Sequence, residues 1–287
     1  MTTLGLVVVG YQSDDVWPAF FESLAQSLVV PDRIVVVENS LTLPSAIPEQ
    51  PRLSVSVLHR PDNPGYGTSA NVGVRSLGES VDLVVICNPD IVWEPQTLET
   101  LVTELQSRPT VGIAGPRLFN TDGSTYPSAR AFPGIRIGIG HALFGDMWKS
   151  NPWTTRYLGT HEGLHPRIVD WLSGACVLVR RETFTAIGGF DESYFMFVED
   201  VDLCFRAKKH GWRSLFVPQA RLTHSGAHST GARMAEMVKA HHQSMRKFLF
   251  RLYEGPLYWP IRQALRVGLW LRSIIAPLRY RRADSKN

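Results

Sequence analysis

The first ninety residues contain aliphatic runs that do not alternate with polar side chains: LGLVVVGY (4–11), RIVVVEN (33–39) and DLVVICNPD (82–90). A strand with one wetted face alternates, whereas a strand covered on both faces does not, so these runs predict the inner strands of a parallel sheet. LSVSVLHR (53–60) reads as a further, shorter strand. Between them, DVWPAFFESLAQSL (15–28) and TSANVGVRSLG (68–78) have helical spacing, the second opened by a Gly-rich turn. Strands and helices in this order predict a doubly wound α/β fold.

The pattern continues with a helix over QTLETLVTELQSR (96–108), bracketed by Pro95 and Pro109, and a strand over VGIAGPRLF (111–119). Across 120–167 it loosens into a Gly/Pro/aromatic stretch, and loops of that length inside a compact domain commonly form lids or substrate-binding segments. WLSGACVLVRR (171–181) and SLFVPQARLTH (214–224) read as strands, RETFTAIGG (181–189) and VEDVDLCFRAKKHGW (198–212) as helices. At 287 residues and 44% hydrophobic, the chain can bury a real core in one large domain or two small ones.

Cys87, Cys176 and Cys204 lie far apart with no CxxC pair, which excludes a zinc ribbon and argues against a disulfide framework. Cys87 and Cys176 sit in apolar runs and read as small buried hydrophobes, in a reducing, cytoplasmic environment. MTTLGLVVVGYQS has no basic leader and no cleavage site, so it reads as a buried strand and not a signal peptide. No run approaches the roughly eighteen apolar residues of a membrane span.

The residues that carry chemistry cluster at strand ends. Asn88-Pro89-Asp90 follows a buried run, where ligands of open α/β sheets bind. Its composition alone suits a plain turn. Its placement lets a carboxylate hold a hard cation that neutralises a diphosphate. Glu199, Asp200 and Asp202 crowd together after the apolar YFMFV, where an acid's pKa rises as a general base requires. A helix start, which also favours acids, accounts for the same crowding. Asn63-Pro-Gly-Tyr-Gly, with Asn71 beyond it, can bring backbone amides close to a nucleotide, although it is neither a P-loop nor GxGxxG. His224 closes a strand and suits a metal held by a carboxylate. Arg130, in YPSARAFP, is a candidate diphosphate clamp, though an Arg in a loop is ordinarily a solvated charge.

These pieces occur together, and in this order, in one family. NPGYGTSANVG (63–73), NPDIVW (88–93), GSTYPSARAFP (123–133), NPWTTRY (151–157), WLSGACVLVRR (171–181), GGFDESYFMFVEDVDLC (188–204) and AHSTG (227–231) carry the resemblance, which spans residues 4–275. The chain resembles the family-two inverting glycosyltransferases, with a nucleotide-diphospho-sugar transferase (GT-A type) Rossmann-like mixed sheet. NPWTTRY, and AHSTG with His241-His242, narrow the resemblance to the rhamnosyltransferase branch of cell-wall linker synthesis.

The resemblance implies transfer of L-rhamnose from a dTDP-sugar donor to polyprenyl-diphosphate-linked N-acetylglucosamine, with a divalent cation, Mg2+ or Mn2+. Asp90 and His224 would form the metal site and Asp200 would be the general base. Glu199, Trp171 and Gly174 would hold the acceptor. Tyr11, Glu38, Asn63, Gly65, Asn71, Asn88, Asp90 and Arg130 would serve the donor. Two departures matter: Asn88 replaces the first acid of the DxD-like motif, and Glu38 stands where many relatives carry Asp. The implied organisation is a nucleotide-sugar-binding half (1–119), an acceptor-binding and catalytic half of the same domain (120–242), and basic amphipathic C-terminal helices (243–287).

The net charge is +4, yet from Arg246 onward ten Lys or Arg face two acids. Arg interleaved with Trp, Tyr and aliphatics at near-helical spacing suits a membrane interface better than an ordinary packing helix or a nucleic-acid site. The expected location is therefore the cytoplasmic membrane surface, with no nucleic acid partner; a homo-oligomer is left open. Three other readings stand beside this one: a relative using galactofuranose, mannose or glucose, a non-catalytic sugar-nucleotide-binding scaffold, and a nucleotidyltransferase. The donor pocket discriminates the first. Asp90, Asp200 and His224 together argue against the second. VVGYQSDD, without a cation for a triphosphate, argues against the third.

Overall fold

The protein is described by a computed structural model covering residues 2–44, 47–48, 50–134, 163, 165–226, 234–264 and 266–267. In chain order the first half comprises β1 (Leu4–Gly10), α1 (Trp17–Ala25), β2 (Arg33–Glu38), β3 (Val55–His59), α2 (Tyr66–Ser76), β4 (Leu83–Cys87), β5 (Ile91–Trp93), α3 (Thr97–Gln106) and β6 (Val111–Phe119). The second half adds β7 (Thr125–Tyr126), β8 (Ala129–Arg130), β9 (Arg167–Val169), β10 (Trp171–Leu172), β11 (Cys176–Arg180), α4 (Arg181–Ala186), α5 (Glu199–Lys209), β12 (Arg213–His224) and α6 (Met234–Leu252).

The main sheet runs β3-β2-β1-β4-β11-β6-β12-β5. Its first four strands are parallel, as the unbroken aliphatic runs require. Every residue of β1 and β4 is buried. Successive side chains of β1 enter different cores: Leu6 and Val8 pack with Trp17, Phe20 and Phe21, while Val7 and Val9 pack with Val74, Phe190 and Val201. Each such side chain contributes about 1.5–3 kcal/mol by leaving water.

The sheet is mixed because β11 inserts between β4 and β6 and is antiparallel to both. That insertion places the second half of the chain against the carboxyl end of β4. The run 171–181 is thus two strands, β10 and β11, with a break at Ser173-Gly174-Ala175. β10 pairs with β8 in a small second sheet. The stretch 120–167 holds β7, β8 and the first residue of β9, while NPWTTRY (151–157) and AHSTG (227–231) lie outside the described residues.

α6 runs unbroken through residue 243, the expected start of the tail. It packs on the domain through Phe248, which is fully buried against Phe132 and Phe205 at ring distances of 6.2 and 5.5 Å. Residues 268–287 of the basic segment lie outside the described ones. Among the described residues no helix is long and apolar enough to cross a membrane. All three cysteines are free and buried, and burial raises each thiol's pKa.

Candidate active site

After β4 the chain turns through Asn88-Pro89-Asp90 into β5, which lies antiparallel to the end of β12 with His224 opposite Ile91. This short pairing delivers the imidazole to the carboxylate. His224 Nε2 stands 3.2 Å from Asp90 Oδ1 and 3.4 Å from Asn88 Nδ2. Both partners of the closer pair are largely enclosed, with side-chain exposures of 13% for His224 and 10% for Asp90. Tyr126 meets the His224 ring edge-on at 5.8 Å. The Arg130 guanidinium lies over Tyr126 at 5.6 Å and over Trp171 at 5.1 Å. Arg130 therefore bridges the Asp90–His224 corner and the Trp171 wall, and does not belong to one side alone.

At the ends of β1 and β2, Glu38 is 1% exposed. Its Oε1 accepts from the Ser40 amide at 2.9 Å and the Ser40 hydroxyl at 2.6 Å, while Oε2 is buried without a hydrogen-bond partner. The Asn39 amide donates to the Gly10 carbonyl at 2.9 Å, and Ser69 Oγ donates to Asn39 Oδ1 at 2.8 Å. The Arg60 amide donates to the Glu38 carbonyl at 2.7 Å, and the Asn63 amide to the Arg60 carbonyl at 3.0 Å. Tyr11, Glu38 and Asn63 are thus gathered on one rim at the carboxyl ends of the parallel strands. Asn39 and Ser40, which stiffen that rim, carry no motif that would have marked them.

The acidic cluster separates into unlike roles. Phe197 and Val198, immediately before α5, have φ of 65° and 69°. Left-handed conformation is costly for a bulky or β-branched residue, about 1–3 kcal/mol each, and persists only where the surroundings enforce it. The turn aims Glu199 and Asp200 at the break between β10 and β11. Asp200 Oδ2 accepts from the Gly174 amide and Oδ1 from the Val201 amide, each at 2.8 Å. Enclosure raises the Asp200 pKa, against the opposing effect of those amides and of Arg130's charge. Burial, and then the charge of Asp200, push Glu199 well above the usual carboxylate range. Glu199 is 7% exposed, and its Oε2 is buried without a hydrogen-bond partner.

Asp202 is different. Fully buried, it accepts from Arg206 Nε at 2.6 Å and is paired with Arg251, so it ties helices together.

Tyr66 is the site residue that sequence reasoning missed: its hydroxyl donates to the Gly174 carbonyl at 2.8 Å, and its own pKa is raised by burial. The signal was an aromatic inside a Gly-rich turn. Gly65 has φ of 97°, and a Cβ there would lie 2.2 Å from the Phe195 carbonyl oxygen, so only glycine lets α2 start against that segment. Asn71 does not join the rim. Its amide donates to the Phe190 carbonyl at 2.9 Å and to Glu192 Oε1 at 3.0 Å, and accepts from the Phe190 amide at 2.8 Å. Trp171 is 7% exposed and anchored by its indole N–H on the Ala131 carbonyl at 2.9 Å, which leaves only an edge for a ligand.

A Rossmann-like mixed sheet with a strand-end Asp–His pair and a separate pair of enclosed carboxylates is the frame of a GT-A sugar transferase. The family model described as glycosyltransferase like family 2 matches residues 2–246. The chain belongs to that family and is a glycosyltransferase. It is 40% identical to the N-acetylglucosaminyl-diphospho-decaprenol L-rhamnosyltransferase of Mycobacterium tuberculosis, across 94% of this chain and 91% of that protein. It is 28% identical to the rhamnosyltransferase WbbL of Escherichia coli, across 65% of this chain and 70% of that protein. Among solved structures it resembles the mannosyltransferase PcManGT of Pyrobaculum calidifontis in complex with GDP-Man and Mn2+, with a TM-score of 0.59 at 16% identity, over 94% of this chain and 70% of that one.

Proposed function

We propose that the protein transfers L-rhamnose from dTDP-L-rhamnose to N-acetylglucosaminyl-diphospho-polyprenol, with inversion, in cell-wall linker synthesis. The observation that carries this reading is the near full-length 40% identity to the mycobacterial L-rhamnosyltransferase, joined to a base geometry suited to a single displacement. Asp200 removes the proton of the acceptor hydroxyl, whose oxygen attacks the anomeric carbon opposite the departing diphosphate. The Gly174 and Val201 amides hold both carboxylate oxygens, so the base is oriented before substrate arrives. Its raised pKa brings it closer to working pH, where a base transfers protons most effectively. Glu199 binds the acceptor sugar, with Trp171 and Gly174 beneath it. Tyr11, Glu38, Asn63 and Gly65 line the donor pocket, and Asn71 supports it from behind.

The Asp90–His224 corner fits a divalent cation, Mg2+ or Mn2+. It offers one carboxylate oxygen and one imidazole nitrogen 3.2 Å apart, with the Asn88 amide beside them. Among the described residues no three His, Cys, Asp or Glu side chains gather into a closed cage. An open pair of this kind leaves coordination positions for phosphate oxygens and water. When bound, such an ion neutralises the charge that grows on the leaving diphosphate. Arg130 adds a second positive charge between this corner and the acceptor wall.

The lipid of the acceptor would be met at the cytoplasmic face of the membrane. After α6, a 3-10 turn at Pro256–Tyr258 exposes Leu257, Tyr258 and Trp259 by 90, 43 and 58%. Arg262 and Arg266 follow within two helical turns. Apolar and aromatic tips beside cations suit an anionic lipid surface.

A donor panel tests the assignment. Purified protein, Mg2+ and a polyprenyl-diphospho-N-acetylglucosamine analogue are incubated separately with dTDP-rhamnose, UDP-galactofuranose, GDP-mannose and UDP-glucose. Lipid-linked product with dTDP-rhamnose alone is expected. Product with another donor instead would overturn the rhamnosyl assignment and keep the displacement mechanism.

A further inference from the structure

We infer that Arg251 is a positioning residue for the catalytic carboxylates, and that α6 is the strap which fixes the turn they stand on. The inference rests on the reading of Glu199 and Asp200 given above.

The segment 190–198, which delivers those carboxylates, is gripped from two sides. From α2, the Tyr66 amide donates to the Phe195 carbonyl at 3.1 Å, and Asn71 holds Phe190. From α6, Ser244 Oγ donates to the Met196 carbonyl at 2.9 Å. The Phe197 ring meets His241 edge-on at 5.7 Å, and Lys247 Nζ lies 4.9 Å from the centre of the Tyr194 ring. The last turn of α6 adds Arg251. One arm of its guanidinium pairs with Asp191 Oδ2 at 2.6 Å, the other with Asp202 Oδ1.

Asp191 precedes the left-handed pair Phe197-Val198 and Asp202 follows it, so a single planar fork staples both ends of the strained segment. Asp202 is fully buried and shares its other oxygen with Arg206. Loss of Arg251 would leave that carboxylate short of counter-charge, and the nearest relief is movement of the first turn of α5. That turn carries Glu199 and Asp200. The two arms reach different carboxylates, a geometry that the single ammonium of Lys does not reproduce. The family model ends at residue 246, so Arg251 lies beyond the segment it matches.

The test uses the full chain with Arg251→Gln and Arg251→Lys, and Asp200→Asn as control. The measurements are kcat, donor KM, nucleotide affinity, thermal unfolding, and the pH profile of kcat. The acid limb of that profile belongs to the Glu199–Asp200 pair, faced by Arg130 from β8 and Tyr66 from α2. Arg251→Gln is expected to lower kcat on the order of 10²-fold, displace the acid limb, and leave nucleotide affinity within about twofold. Arg251→Lys should recover part of kcat. A wild-type kcat and profile in Arg251→Gln would overturn the inference, as would an equal loss of nucleotide affinity.

If Arg251→Gln does not fold, Asp191→Asn takes its place, since it frees one arm and leaves Asp202 paired. It should lower kcat about tenfold with the same displacement of the acid limb; an unchanged profile would overturn the strap. An active Asp200→Asn would instead sink the catalytic reading itself. An inactive Asp200→Asn beside a wild-type-like Arg251→Gln would remove only the positioning role.

Discussion

The amide of Gly174 donates to Oδ2 of Asp200 at 2.8 Å, across the gap between two strands and the start of a helix. Gly174 also accepts from the Tyr66 hydroxyl at 2.8 Å, so one residue of the β10–β11 break joins α5 to α2. The carboxylate is consequently held by backbone amides, with no cation among the described residues bonded to it, and its enclosure raises its pKa.

Asp200→Asn should lower kcat by about 10²–10⁴-fold, the usual contribution of a positioned general base. Titration calorimetry with dTDP should find nucleotide affinity nearly unchanged. A comparable loss of affinity would move Asp200 from the base position to the donor site.

Glu199 gives a pH-dependent prediction of definite sign. Its folded pKa lies above the ordinary glutamate value, so the buried group favours the protonated form. Below the ordinary value both states are protonated and nothing is lost. As pH rises through that value toward the raised folded one, the unfolded chain ionises freely, the folded one does not, and stability declines. Glu199→Gln should therefore stabilise the protein by about 1–3 kcal/mol at neutral and higher pH, with little change in acid. Urea unfolding at several pH values checks it, and the same variant should lose acceptor affinity.

Removing divalent cations with a chelator should abolish transfer, and added Mg2+ or Mn2+ should restore it. Asp90→Asn and His224→Ala should each raise the cation concentration needed for half-maximal rate. If both variants titrate like the parent protein, the strand-end corner is not the metal site.

Gly65→Ala should destabilise the fold by about 1–3 kcal/mol or more, because it adds strain at positive φ to a collision with the Phe195 carbonyl. The loss should appear in the denaturant midpoint and, if this turn takes the donor role proposed for it, in dTDP affinity together.

A chain truncated after Tyr253 keeps Arg251 and loses Leu257, Tyr258, Trp259 and the basic residues beyond. Co-sedimentation with anionic vesicles should fall to background while transfer to a short-chain, water-soluble acceptor persists. Undiminished sedimentation would remove the membrane role of the tail.

The inner strands were legible because burial on both faces leaves an unbroken aliphatic record in β1, β2 and β4. β5 and β9 were not, since each is three residues long and exists through pairing with β12, a partner distant in sequence. The run 171–181 looked continuous because the small residues at 173–175 fit a buried strand. Their backbone polar groups are spent on Asp200, Tyr66 and Asn88 instead. Glu199, Asp200 and Asp202 look alike as letters, and only the two arginines that pair with it, Arg206 on α5 and Arg251 on α6, set Asp202 apart. Asn71 shows the same limit: its place in a Gly-rich motif suggested a ligand contact, while its amide is occupied by Phe190 and Glu192.

The insertion of β11 beside β4 has one more consequence. The Asn88 amide donates to the Ala175 carbonyl at 3.0 Å, so the turn that leads to Asp90 and the residue after Gly174 are bonded neighbours. The Asp90–His224 corner and the β10–β11 break that holds Asp200 therefore share a seam, and neither can be remodelled there without disturbing the other. Substitutions in 88–90 and in 173–175 should couple rather than add. Redesign on either side of that seam has to treat the two turns as one unit.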